Sequence, residues 1–458
     1  MVQHVAIVGG GLAGLACGVA LADAGLRVTV IERERELGGR ARSWVDPTTG
    51  DAIDLGPHIV HSEYRNMLAF LDRLGTRELI CWQPDKLITL ADGKRRVVLR
   101  HRRLPPPFSL VPDLVRQSGL ALRDLWSNNR PTWAAMRYGE EDVPELDRWK
   151  AIDYLRAAGV TEAMIDWFWR FAALSVMNVP LDRCSAAALL RVHSMLIGHR
   201  GIHFGFPAVA LNELFAPQAM RIIEASGGRV LTGIQVAALR PSALALEDGS
   251  TIDADHVVDT RPPARLEPSP YISCYLWFDR KITRERFWAQ LGALTRLNTD
   301  FYDLSNIRRG WSAGPSVIAS NIIYSHRAHD LSDEEIVART REEIGAFADE
   351  GRVRHAVVNR IPMVIPCPVP GSESERPAPT ATMAGDWTRT GLPCSMESAV
   401  RSGWLAAEEV LRLAGRPRRL ALEPRPTDGL AGLVRRARRG ARARASRTLP
   451  TARPRPHP

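Results

Sequence analysis

No apolar stretch in this 458-residue chain reaches the roughly 20 residues that a membrane-crossing helix needs. A transmembrane helix is therefore not expected. The chain opens on what reads as a strand rather than on a secretory leader. Six cysteines (17, 81, 184, 274, 367, 394) are scattered without a pairing motif. That sets aside a disulfide scaffold and suits a reducing cytosol. There is no internal repeat and no metal-ligand pattern. His199 and His203 fall four apart, but Gly201 lies between them and no glutamate arranges them as a zinc motif. No catalytic set is legible either, so the chemistry has to come from somewhere other than a triad.

Acidic residues are scarce in one place only. Residues 416–458 hold 13 arginines against Glu423 and Asp428, whereas the whole chain carries +10. The basic excess belongs to this tail and not to the body. Its Pro- and Arg-rich composition reads as disordered, or partly helical around Leu430 to Arg444. The commonest reading of such a tail is an inert solvated segment; it could also meet an anionic membrane surface or bind nucleic acid without specificity. A second basic stretch, Lys94 to Arg103, runs into Leu104-Pro105-Pro106-Pro107-Phe108. It reads equally as an interfacial loop and as an ordinary exposed hairpin.

What the chain does have is length and apolar content, 45% hydrophobic, enough for two substantial cores. Val5 to Val8 reads as a buried strand, Leu12 to Ala24 as a helix closed by Gly25, and Val28 to Ile31 as a second strand. Between strand and helix stand Gly9, Gly11, Ala13 and Gly14, spaced as G-x-G-x-x-G. Gly9 permits the tight turn, Gly11 lets the backbone approach a pyrophosphate, and Gly14 lets helix and strand pack closely. The helix N-terminus offers free N–H groups to phosphate. Glu32 ends the second strand, where it can accept from ribose hydroxyls and would repel a 2′-phosphate. Dinucleotide binding follows, with NADP disfavoured.

Past Glu32 come Arg33 and then Leu37-Gly38-Gly39-Arg40-Ala41-Arg42-Ser43. A nicotinamide dehydrogenase has no need of this second glycine pair. Near the other end run Ala384-Gly385-Asp386-Trp387 and Ser395-Met396-Glu397-Ser398-Ala399-Val400, the latter opening a helix from Met396 to Leu413. With these segments the chain resembles the flavin amine oxidase and carotenoid desaturase superfamily. The resemblance implies FAD, held non-covalently along its whole length. It places Arg40, after Gly39, against the pyrophosphate. It implies that Asp386, after Gly385, bonds a ribityl hydroxyl or phosphate. It aims the helix starting at Met396 at the flavin pyrimidine oxygen. One departure is that family members often carry Arg two residues after the acid, where this chain has Glu34, flanked by Arg33 and Arg35.

Asp54-Leu55-Gly56-Pro57-His58-Ile59 and Tyr64 look like the segment that runs beside the isoalloxazine in isoprenoid-processing members. By that match Gly56, His58, Ile59 and Tyr64 touch or flank the flavin. Location near a flavin does not make His58 an acid or base, and the bland reading of His58 is a buried, satisfied side chain. Gly227-Gly228-Arg229-Val230 opens the middle piece of the cofactor domain, where the resemblance assigns an adenine contact to Val236.

The implied fold is α/β. A Rossmann-like FAD domain is assembled from residues 1–70, 205–265 and 356–415, and a mixed α+β substrate domain from 71–204 and 266–355. Within the superfamily, amine oxidases place an aromatic residue just before the Met-Glu pair, and here that position is Ser395. Cys367 is not in the context of a covalent flavin tether. Trp387-Thr388 and Thr390-Gly391-Leu392-Pro393 look instead like squalene-associated enzymes of the hydroxysqualene dehydroxylase type. Ser395-Met396-Glu397 and the stretch from Pro362 to Pro370 are similar to phytoene desaturases. The expectation is an oxidoreductase acting on a hydrophobic linear polyisoprenoid by hydride transfer at flavin N5, cytoplasmic or peripheral to a membrane. The electron donor or acceptor is not named by any motif. A flavin amine oxidase is one alternative. A flavin-free prenyl-binding protein of the Rab GDP-dissociation-inhibitor type is another, and Gly38-Gly39-Arg40 and Asp386 speak against it. Met164 to Met177 and Tyr271 to Phe278 supply apolar, aromatic material for a tunnel or for plain core.

Overall fold

A computed structural model of the chain describes residues 2–93, 95–292 and 295–448. Lys94 of the basic loop and the last ten residues of the tail lie outside it.

The glycine-rich turn sits where the sequence puts it. His4–Val8 is a fully buried strand, Leu12–Asp23 a helix, and Arg27–Ile31 the next strand. The helix ends in Gly25 at φ +77°, a left-handed position that glycine takes without steric cost. Both strands are parallel, and the sheet is completed by Arg229–Leu231 outside the second strand and His256–Asp259 outside the first. The helix Met396–Leu413 packs on Leu12–Asp23 so closely that a Cβ on Gly403 would lie 2.2 Å from the Ala13 carbonyl. The two ends of the chain thus share one core, in which Leu15, Cys17, Val400, Ala407 and Leu411 are buried together. Thr382 to Ala384 makes isolated bridges, Met383 to Asp259 in parallel and Met383 to Thr380 in antiparallel sense.

The second layer is a seven-stranded sheet in the order 353–366, 268–278, 317–323, 300–303, 287–290, 88–92 and 95–99. Neighbours are antiparallel except for the pair 287–290 and 88–92. Side chains alternate between its faces. Ile272, Cys274, Leu276, Trp288, Phe301 and Ile322 pack on one face with Ile336 and Ile344 of the helix Asp333–Gly345. Tyr271, Phe287, Ala289, Tyr302 and Ile323 point to the other.

Helices between residues 111 and 198 cover one end of this sheet. Ile165–Trp169 forms a π-helical turn inside the aromatic stretch, running into the helix Arg170–Met177. The helix Ala186–Gly198 stops before His199, so His199 and His203 do not share a helix face.

Of the two readings of the tail, disordered or partly helical around Leu430 to Arg444, the described residues show the helical one. Residues 416–428 lie along the body: Arg65 donates to the Glu423 carbonyl at 2.6 Å, and Arg425 pairs with Glu63 at 2.9 Å. A helix follows over Gly429–Thr448. It is held by Arg438, which pairs with Asp142, and by Ala431, which is buried. Composition leaves disorder open beside the helix because it counts charge but not the acceptors that receive it.

Candidate functional site

A single cavity of about 1370 Å³ runs from the glycine-rich turn to the start of the helix Met396–Leu413. Ordinary small-molecule pockets span about 300–1000 Å³, so this one has room for more than one small ligand.

At its nucleotide end, the helix Leu12–Asp23 begins at Gly11 with no side-chain cap, and Leu12 and Ala13 face the cavity. Its first N–H groups and dipole are therefore available to an anion. A Cβ placed on Gly11 would meet nothing closer than 3.8 Å, so the space above this backbone is open. Gly14 is different. A Cβ there would stand 2.0 Å from the Gly9 carbonyl oxygen, so this glycine exists for helix–strand contact and does not face the cavity. Glu32 is buried, with its carboxylate accepting from the Gly10 N–H at 2.7 Å and the Glu34 N–H at 3.0 Å. Those bonds fix its direction while its other lone pairs remain for a diol. Arg33 and Val236 also line this end. Glu34 lies between Arg33 at 3.4 Å and Arg42 at 3.6 Å, and Arg42 lines the cavity wall.

At the other end, Ser395 caps the helix Met396–Leu413 by accepting from the Ser398 N–H at 3.2 Å, and Met396 and Ala399 face the cavity. A second helix N-terminus therefore points at the same space. Gly385 turns at φ +147°, and its N–H donates to Ser402 Oγ at 2.9 Å. Arg376 clamps the loop after it by donating to the carbonyls of Asp386 and Leu392. Ser398 is fully buried and bonds Thr390 Oγ1 at 2.7 Å. Tyr64 bonds Ser395, and burial pushes its phenol up to about 12.

The two ends meet through charge. Arg40 donates to Asp386 and, at 2.7 Å, to the Val364 carbonyl. Burial works against the charge of Arg40, but the Asp386 carboxylate outweighs it and holds the guanidinium above its ordinary pKa. His58 keeps its Nδ1 2.7 Å from the Gly56 carbonyl, and burial lowers its pKa. It is a neutral ring at neutral pH.

Of the residues singled out in the sequence, Gly9, Gly11, Ala13, Glu32, Arg33, Gly39, Arg40, His58, Ile59, Tyr64, Val236, Gly385, Asp386 and Met396 all line this cavity. Gly14 and Gly56 do not. Gly56 is kept bare because a Cβ there would fall 2.5 Å from the Tyr271 hydroxyl. Cys367 is buried outside the cavity, and Cys394 lines it as a thiol that burial pushes up to about 12.

Sequence reasoning missed Glu397. Its carboxylate accepts from the Asn66 N–H at 3.0 Å, the Asn66 amide at 2.7 Å and the Met67 N–H at 2.7 Å. It thereby caps the helix Arg65–Leu74 from 330 residues away and fixes Tyr64 beside Ser395. No local signal marks such a contact. Arg376 and the pair Asp300–Asn321 were missed for the same reason.

Between the polar ends, Phe168, Phe171, Leu90, Leu99, Phe204 and Phe287 make an apolar wall. The aromatic runs divide by direction. Phe168 and Phe171 reach the cavity, whereas Trp169 is core and donates to Asn128 at 2.9 Å. Tyr271 faces the cavity, whereas Ile272, Cys274 and Leu276 do not.

The family described as flavin containing amine oxidoreductase matches residues 12–411. The chain belongs to that family. It is therefore a flavin-dependent oxidoreductase, and the residues above fit FAD: a capless helix end and Glu32 for the nucleotide, Arg40 and Asp386 midway, and a second helix end for the ring. A 15-cis-phytoene desaturase of Synechococcus elongatus is 27% identical over 91% of this chain and 99% of its own length. A carotenoid phi-ring synthase of Streptomyces griseus is 26% identical over 94% of this chain and 92% of its own. Among solved structures, putrescine oxidase bound to putrescine superposes with a TM-score of 0.67 at 15% identity, covering 90% of this chain and 99% of that one. Reduced UDP-galactopyranose mutase does so at 0.66 and 16%, covering 95% and 97%. At such identities the structural neighbours speak for the fold alone.

Proposed function

We propose that this flavoenzyme oxidises or reduces a linear polyisoprenoid, with the carotenoid-desaturase type of substrate favoured over an amine. The observation that carries this reading is the wall of the cavity. Beyond the cofactor-facing groups it is built largely from Leu, Ile, Phe and Ala side chains, with the polar cluster Tyr271, Asp300, Tyr302 and Asn321 set among them. Ser395 stands where an amine oxidase would place an aromatic residue beside the flavin. When bound, a flavin supplies hydride acceptance or donation at N5. This chain's residues bind it at both helix ends, orient it through Arg40 and Asp386, and exclude water along the apolar wall. The likeness to phytoene desaturase and carotenoid phi-ring synthase supports the same substrate class.

The test is anaerobic incubation of the FAD-loaded protein with phytoene, with hydroxysqualene and with putrescine, following the flavin spectrum and the products. Flavin bleaching by phytoene, or consumption of hydroxysqualene by the prereduced protein, supports the reading. Bleaching by putrescine alone overturns it in favour of an amine oxidase.

A hydrophobic substrate also needs a route in. No helix among the described residues is long and apolar enough to cross a membrane. Phe108, Leu122, Trp126 and Trp133 are nevertheless exposed on neighbouring short helices and turns, Leu122 at 71% and Trp126 at 74%. Arg103, Arg116, Arg123 and Arg130 interleave with them in sequence, and the helix Gly429–Thr448 packs against the helix Asn129–Arg137. Leu110, two residues from Phe108, lines the cavity. This surface is proposed to rest on an anionic bilayer and to pass substrate inward beside Leu110.

A further inference from the structure

The seven-stranded sheet brings one buried carboxylate, in a cluster of polar side chains, to the cavity wall. Asp300 and Asn321 are register partners on adjacent strands, and Tyr271 and Tyr302 flank them. Asn321 Nδ2 donates to Asp300 Oδ1 at 2.6 Å, and the Tyr271 hydroxyl donates to Asn321 Oδ1. The Tyr302 phenol also bonds the Asp300 carboxyl. All four side chains are buried, and all four belong to the cavity wall.

Tyr271 fixes where along the cavity the cluster lies. Its hydroxyl packs over Gly56, two residues before His58. Its strand partner is Ile361, three residues before the Val364 carbonyl that takes Arg40. The cluster therefore borders the part of the cavity assigned to the flavin ring and not the nucleotide end.

Dehydrogenating a saturated carbon–carbon bond removes two unlike hydrogens. One leaves with its electron pair as hydride, and flavin is the oxidant that receives it. Its neighbour has to leave as a proton. We propose that Asp300 is the proton acceptor for that step, with Asn321 and Tyr302 orienting its carboxylate and Tyr271 orienting Asn321. The inference rests on the polyisoprenoid reading above. The C–H electrons left behind by the proton become the new π bond, the hydride pair passes to flavin, and the Asp300 carboxylate becomes a carboxylic acid.

The other ionisable groups of the wall suit this role less well. Arg40 and Asp386 hold each other, and Glu32 is committed to the Gly10 and Glu34 N–H groups. His58 is made a weaker base by burial. Burial acts on Asp300 in the opposite sense, pushing its carboxyl up to about 7, while the bonds from Tyr302 and Asn321 favour the ionised form. A base with that pKa is matched to neutral operating pH. Tyr275 and Asp54 act electrostatically on Tyr271, and Arg308 pairs with Asp54 at 2.7 Å.

The test is single-turnover reduction of the FAD-loaded protein by 15-cis-phytoene in detergent micelles, without oxygen, against pH. In the wild type the rate is expected to rise with pH around a midpoint near about 7. Asp300→Asn is expected to slow it by about 100-fold or more, with FAD affinity unchanged. Tyr302→Phe removes a bond to the carboxylate and is expected to move the midpoint upward. A readout free of turnover is infrared titration of the apoprotein, which should show a carboxylic acid band that titrates near neutrality and is missing in Asp300→Asn. Wild-type rates in Asp300→Asn, or no such band, overturn the proposal alone. A wild-type protein that phytoene never reduces overturns the proton-acceptor role, and the polyisoprenoid reading falls with it only where hydroxysqualene is not consumed either.

Discussion

Arg40 and Asp386 lie 346 residues apart in sequence and form an ion pair inside the cavity, with Arg40 also holding the Val364 carbonyl. That pair ties the Gly-Gly-Arg turn to the Ala-Gly-Asp loop, so neither motif can move without the other. Its partners are unequally placed: Asp386 is buried, whereas Arg40 keeps about a third of its side chain open. The open portion is what remains to meet a phosphate.

Asp386→Asn is therefore expected to weaken FAD binding. A hydrogen bond to a charged group is worth about 1.5–3 kcal/mol, which corresponds to roughly a 10- to 100-fold rise in Kd. Arg40→Lys should cost nearly as much as Arg40→Ala, because an ammonium cannot reach two acceptors in fixed geometry as the guanidinium does. Titration of apoprotein with FAD, followed by quenching of flavin fluorescence, measures both. Unchanged affinity in Asp386→Asn would remove this pair from the site.

Gly14→Ala tests the other half of the nucleotide end. The added methyl would meet the Gly9 carbonyl at 2.0 Å, and backbone on both sides leaves nothing flexible to yield. Overpacking of this kind costs about 1–3 kcal/mol. The melting temperature of the apoprotein should fall, and FAD affinity with it. Gly11→Ala should differ, since space above Gly11 is open in the apoprotein: affinity should fall while the apoprotein melts as the wild type does. A parallel loss in both variants would contradict this separation.

These two glycines show why the dinucleotide motif was legible in the chain. Its parts are neighbours in sequence and each has a local steric reason, so spacing alone carries them. The helix Met396–Leu413 was legible for the same reason, its bounds following from helix formers and a closing Gly415. Glu397 was not, because its partners Asn66 and Met67 reach it only after the chain has folded back on itself. Asp300 and Asn321 hid likewise, each unremarkable on its own strand until antiparallel register paired them. The tail was legible in part: a helix around Leu430 to Arg444 was among its readings, whereas its anchoring was not. Its arginines suggest a solvated segment, but Arg425 and Arg438 meet Glu63 and Asp142, supplied by the distant body.

Glu397→Ala should destabilise the fold without touching the redox chemistry directly. It leaves the Asn66 and Met67 N–H groups buried and unpaired, at about 1–3 kcal/mol. The denaturation midpoint of the apoprotein should fall accordingly. Tyr64 loses the anchor beside its helix, so FAD affinity should also drop. A variant with wild-type stability would show that water replaces the carboxylate.

Acid should unfold the protein through its histidines. Burial lowers His193 and His199 to about 4 and His61 to about 3, from 6.5 when unfolded. Each folded-state pKa is depressed, so the unfolded chain binds the extra proton first. Their stabilising contribution is complete above pH 6.5 and declines as pH falls toward the folded values. The slope is about 1.4 kcal/mol per pH unit for each fully buried histidine within that window. Between about pH 6.5 and 5, wild-type stability should fall steeply, and His193→Gln should reduce the slope whatever it does to the absolute level. Denaturant midpoints at a series of pH values decide it, and an unaltered slope would exclude His193 as a contributor.

The exposed aromatic surface gives a prediction about lipid. Leu122, Trp126 and Trp133 lie on consecutive short helices and expose apolar area to water. Trp rings prefer the boundary of a bilayer, and arginines nearby add about 1 kcal/mol each on an anionic surface. The protein should therefore cosediment with phosphatidylserine vesicles more than with phosphatidylcholine vesicles, and less as salt rises, since screening acts on the arginines first. Trp126→Ser with Leu122→Ser should lower binding to both lipids, because the apolar contribution does not depend on headgroup charge. Removing residues 429–458 instead should lower only the salt-dependent part if the tail acts through charge. Equal binding by wild type and the Trp126→Ser, Leu122→Ser protein would rule this face out and leave Leu110 as part of the cavity wall, not its entrance from a membrane.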